Sequence, residues 1–120
     1  MPDCAPALAR NQASGAVIQG LGYALYEGRE IDRTTGDVLT TSLDDYRMPG
    51  IGDIPPIDVY FDEGGFDHVH GGSVGIGEVA TVPAAAAIAN AIRDAIGVRP
   101  CEIPIRPDRL LDLLHRRTAA

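Results

Sequence analysis

A chain of 120 residues holds one globular domain or a piece of a larger one, and its 45% hydrophobic and 22% charged residues are ordinary for a folded protein. Seventeen acidic residues against ten basic ones give a net charge of -7, which disfavours nonspecific nucleic-acid binding. No apolar run approaches the ~18 residues a membrane span needs. No basic start with an apolar core opens the chain as a secretion signal would. Cys4 and Cys101 are too few and too far apart for a disulfide framework or a zinc signature, so a cytoplasmic protein with free thiols is expected.

Residues 1–10, with two prolines and little periodicity, read as an irregular lead-in. Ala13, Val17, Leu21, Ala24 and Leu25 recur at helical spacing, which predicts a helix over about 12–27 with Gly28 as its stop. Its internal glycines each cost roughly 1 kcal/mol against alanine, so this helix needs tertiary support. Gly15 and Gly22 share a face with Gln19, which suits close approach by a neighbouring backbone or a ligand. From spacing alone, tight helix packing is the favoured account of that face.

Thr35-Gly36-Asp37 reads as a hairpin turn between short apolar stretches. Residues 44–56 form a long loop rich in proline and glycine, with Tyr46 and Arg47 as candidate anchors. Residues 57–61 are rich in β-formers and predict a strand. The polar loop 62–72 carries Asp67, His68 and His70, an incomplete ligand set that reads as a solvated cluster rather than a metal site.

Ser73 to Glu78 reads S-V-G-I-G-E, a glycine-spaced run suited to close backbone approach. Glu78 stands just before a helix start, where positive backbone dipoles favour an ionised carboxylate. Such a residue can serve as a general base, or it can simply cap the helix. The run lacks the third glycine of a dinucleotide fingerprint, and no serine sits in a nucleophile elbow. Pro83 opens a helix over 83–96, with Ala84, Ile88, Ile92 and Ile96 in one stripe and Gly97 as its stop. A last helix over about 107–117 has early acids and late bases. The expected fold is α+β: three helices packed with a small sheet of short strands and long loops.

Several of these blocks stand together in one known family. The stretches I-Q-G-L-G-Y-A-L-Y-E (18–27), D-Y-R-M-P (45–49) with D-I-P-P-I (53–57), G-I-G-E (75–78) with I-A-N-A-I in the following helix, and I-P-I (103–105) resemble the molybdopterin-binding large subunit of the xanthine dehydrogenase / aldehyde oxidase family. The resemblance covers roughly residues 12–114 and points to the C-terminal end of that subunit, so residues 11–120 are expected to be a fragment of a molybdopterin-binding domain. It implies that Glu78 is the active-site base, facing the molybdenum centre and taking the proton of the attacking hydroxide. It also implies that Gln19 hydrogen-bonds the pterin cofactor, with Gly75 and Gly77 giving that cofactor room.

The implied reaction is hydroxylation of an aldehyde, purine or N-heterocycle with water-derived oxygen. Iron–sulfur clusters and flavin would lie on other segments or subunits, since no cysteine spacing here suits a cluster. Val74 departs from the lysine common before the G-x-G-E block, and no direct metal ligand is expected from this chain. The rest of the subunit or a separately encoded partner, with an iron–sulfur subunit, would complete the enzyme. Alone, the chain is expected to be inactive, to lack molybdenum, and to be marginally stable or to form homo-oligomers. A truncated, non-catalytic remnant or cofactor-free folding module of the same family is the alternative.

Overall fold

The computed structural model describes residues 5–62, 64–72 and 74–118, so Cys4 and Ser73 lie outside the described residues. Three helices are present: α1 (Pro6–Leu25), α2 (Ala84–Ile96) and α3 (Pro107–Thr118), with short 3-10 turns at Ile51–Asp53 and His70–Gly72. α2 and α3 match their expected spans within a residue. α1 begins at Pro6, well inside the supposed lead-in. Proline at the first helical turn lacks only an N–H that would be unpaired there anyway, and the alanines and leucine after it are strong helix formers.

The expected sheet is not formed, and the α+β reading is corrected to a helical one: no strand occurs among the described residues. The turn at Thr35-Gly36-Asp37 exists, with Gly36 at φ 81°, but it closes only one antiparallel bridge, between Ile31 and Val38. The Asp32 carboxylate accepts the N–H groups of Thr34 and Thr35 inside that turn, which holds its pKa below the ordinary value. Residues 57–61 run without any backbone hydrogen bond to another described residue. β-propensity expresses fit to a pleated neighbour, and here no described neighbour lies alongside.

α1 organises what packing there is. It crosses α2, and its carbonyl at Ala24 accepts the N–H of Ile105 at 2.7 Å. Ala16, Ala24, Pro100 and Ile105 are the buried apolar side chains among the described residues, and no large side chain is fully enclosed. The accessible surface is 9127 Å2, against roughly 6,200 Å2 for a compact monomer of this mass. The radius of gyration is 18.5 Å, where about 14 Å suits a compact domain of this length. Leu8, Leu43, Ile51, Tyr60, Val79 and Val82 stand exposed.

The ends of α2 and α3 are tied to each other. Gly97 adopts a left-handed conformation (φ 69°) after α2, and its N–H returns to the carbonyl of Arg93 at 2.8 Å. The guanidinium of Arg117, in the last turn of α3, donates to the carbonyl of Ile96. A base expected to serve its own helix end therefore also closes the negative end of a neighbour.

Candidate functional site

The segment 77–84, which carries Glu78, lies along α1 and runs in the same direction. Gln12 Nε2 donates to the carbonyl of Gly77 at 2.8 Å. Thr81 Oγ1 donates to the carbonyl of Ala16 at 3.0 Å, and the Tyr23 hydroxyl donates to the carbonyl of Thr81 at 3.0 Å. At Gly20 the two segments touch most closely: an added Cβ would clash with the Cβ of Ala84 and lie 3.2 Å from the carbonyl oxygen of Thr81. Gln12, Ala16 and Gly20 recur every four residues, so they form one stripe of α1.

Glu78 is exposed at the start of this segment. Its backbone is held on the far side, where its carbonyl accepts the N–H of Thr81 at 2.9 Å and the N–H of Val79 reaches the carbonyl of Ile76 at 3.4 Å. Its carboxylate has no hydrogen bond or ion pair among the described residues, so it does not cap α2; Pro83 occupies that position without a side-chain bond. Gly75 and Gly77 have nothing within 4 Å of where a Cβ would stand, and neither lies at positive φ. Neither backbone conformation nor packing among the described residues requires glycine there.

Gln19 is exposed, and its amide has no partner among the described residues. The glycine-flanked face read from the sequence divides in two. Gly15 is open, whereas Gly22 is covered by the Glu27 carboxylate and by Pro49 Cδ at 3.4 Å from a Cβ position. With no side chain at 22, Glu27 folds back over the helix end and accepts the Tyr46 hydroxyl at 2.7 Å. That bond, with burial and the charge of Glu27, raises the Tyr46 pKa above its ordinary value. The Arg47 guanidinium sits 5.0 Å over the Tyr26 ring. Tyr46 and Arg47 thus anchor the long loop to the C-terminal end of α1.

Asp67, His68 and His70 are exposed, and no group of three or more potential ligands gathers around a metal position among the described residues. Val74 is exposed. A cleft of about 750 Å3 lies between α1, α2 and α3, bounded by Leu25, Tyr26, Arg47, Ile92, Pro104 and Leu110; it includes none of Gln19, Gly75, Gly77 and Glu78. Gln12 escaped the sequence reading, which stopped at the glycine-flanked glutamine one face-repeat later. Its position seven residues before Gln19, on the same face, was the available signal.

The molybdopterin cofactor-binding domain family matches residues 4–55. A putative xanthine dehydrogenase molybdenum-binding subunit of Escherichia coli (strain K12) is 37% identical over 92% of the chain. The solved structure of quinoline 2-oxidoreductase from Pseudomonas putida 86 superposes with a TM-score of 0.82 over 92% of the chain at 31% identity. The chain belongs to the xanthine dehydrogenase / aldehyde oxidase family. Its path through the helices and long loops is that of a molybdopterin-binding domain. The gamma subunit of a 6-hydroxypseudooxynicotine dehydrogenase complex from Paenarthrobacter nicotinovorans is also 37% identical, over 88% of the chain. The chain spans only 15% of the length of the Escherichia coli relative and 14% of the quinoline enzyme's chain.

Several of these positions remain open. Gly15, Gly75 and Gly77 leave bare backbone, and Gln19 and Glu78 present unpartnered polar groups.

Proposed function

We propose that this chain is one part of a molybdenum hydroxylase and contributes Glu78 as its active-site base, with Gln19, Gly75 and Gly77 lining the molybdopterin side. The supporting observation is the combination at Glu78: fixed backbone, a carboxylate without a partner, and two neighbouring glycines that nothing among the described residues requires. A carboxylate spent on capping or on an ion pair would be a poor proton acceptor; this one is free for that task.

The cofactor, when bound, supplies the two-electron oxidation. Glu78 would accept a proton at a carboxylate oxygen from the water-derived nucleophile. Gln19 would hydrogen-bond the pterin edge, and Gly75 and Gly77 would admit its bulk. The substrate class is an aldehyde, a purine or an N-heterocycle. The rest of the molybdenum-binding subunit, on the same or a separate chain, would complete the site, and iron–sulfur and flavin groups would sit elsewhere. The large accessible surface and the lack of enclosed large side chains support this dependence on a partner. The test is to co-produce the chain with the rest of the subunit and compare Glu78→Gln with the unaltered protein. Molybdenum content should persist while hydroxylation disappears; retained turnover overturns the base assignment.

A further inference from the structure

The two peptides that flank Glu78 are held by different means. The 78–79 peptide is fixed within the turn, through Thr81 N–H to the Glu78 carbonyl (2.9 Å) and Val79 N–H to the Ile76 carbonyl (3.4 Å). Thr81 is itself tied to α1 through Ala16 and Tyr23. The Ile76 carbonyl, on the 76–77 peptide, closes the same turn, so Gly77 and Glu78 are its central residues and the 77–78 peptide between them makes no hydrogen bond within it. Gly75 and Gly77 have open surroundings and the widest choice of dihedrals. The carbonyl of this central 77–78 peptide, whose orientation the turn alone does not fix, is held by the amide of Gln12, donating to it at 2.8 Å across 65 residues of sequence.

A peptide unit is planar, so fixing the Gly77 oxygen also fixes the Glu78 nitrogen. With the 78–79 peptide held as well, φ and ψ of Glu78 are set, and only its side-chain rotamers stay free. We propose that Gln12 is a positioning residue: by holding the 77–78 peptide against α1, it sets the direction in which the Glu78 carboxylate leaves the backbone. This rests on the reading of Glu78 as the base. A base must sit within hydrogen-bond reach of the proton it takes, and a glycine-rich approach to it would otherwise let that geometry wander.

The test uses two variants and two measurements. Gln12→Met keeps the side-chain length without the donor, and Gln12→Asn keeps the amide. In the 120-residue chain, hydrogen exchange of the amides at 77–81 should quicken several-fold in Gln12→Met and less in Gln12→Asn. In the assembled enzyme, Gln12→Met should lower kcat about tenfold, with KM and molybdenum content within about twofold of the unaltered protein. Gln12→Asn should recover part of that loss. Unchanged exchange at 77–81 overturns the clamp. Quickened exchange with unchanged kcat overturns its role in positioning. A fall in kcat matched by an equal loss of molybdenum would mean that Gln12 holds the cofactor, which also overturns the proposal. Glu78→Gln read in the same assay separates the two claims: if it retains turnover, the base reading fails, while the exchange result still decides whether Gln12 restrains the loop.

Discussion

The C-terminal end of α1 and the approach to Glu78 use glycine to opposite ends. At Gly20 and Gly22 the missing side chain is filled from within: by Ala84 and Thr81 at the first, by Glu27 and Pro49 at the second. At Gly15, Gly75 and Gly77 the same absence faces open space. The first group is explained by the chain's own packing. The second is filled by no described residue, and the side chains of Gln19 and Glu78 have no described partner. Gly36, Gly65, Gly71 and Gly72 are also bare, but their positive φ accounts for glycine there, which Gly15, Gly75 and Gly77 lack.

That contrast can be broken by substitution. The largest effect is expected at Glu78: in the assembled enzyme, Glu78→Gln should lower turnover by ~100-fold or more, while the melting temperature of the chain itself stays unchanged. Next comes Gly20→Ala, where the new methyl meets Ala84 and backbone of Thr81. Overpacking of this kind costs about 1–3 kcal/mol in denaturant unfolding. Gly15→Ala, one turn earlier on the same helix, should do the reverse and stabilise the isolated chain by up to ~1 kcal/mol. If both glycines respond alike, the division between closed and open positions fails.

Smaller effects are expected from titration. The Tyr46 pKa is raised in the folded chain, so its bond to Glu27 contributes stability below the ordinary tyrosine value near 10. That contribution is lost as the pH climbs through the raised value. Tyrosinate absorbance should show one late-titrating tyrosine, and Glu27→Gln should bring it earlier. The smallest effect belongs to Asp32, whose lowered pKa stabilises the 32–37 turn above its ordinary value of 3.8. That support is lost as the pH falls through the depressed value, so Asp32→Asn should lower neutral stability slightly and leave stability in strong acid nearly the same.

The helices were legible because their signals are local. The stripe through Ile88, Ile92 and Ile96 and the stop at Gly97 need only a short window of sequence. The start of α1 was misread because a proline can open a helix as well as break one, and the neighbours of Pro6 decide which. The strand over 57–61 was misread because strand propensity describes a residue's fit to a partner, and no described residue is that partner. Glu78 and Gln19 were visible through the resemblance, and the glycines around them through their spacing. The helical face that Gln12 shares with Gln19 is legible, but its partner is not, since the bond to Gly77 joins positions 65 apart and no periodicity crosses such a gap.

The register between α1 and the Glu78 segment is nearly constant: 12 meets 77, 16 meets 81, and 20 meets 84. Everything between Tyr26 and Ile76 is therefore a detour that leaves the helix and returns to it. Lengthening a flexible excursion is cheap, since each doubling adds only about 0.6 kcal/mol of closure cost. The loops in that excursion can thus gain or lose residues without moving Glu78 along α1. The fold separates a part free to vary in length from one whose alignment is fixed turn by turn.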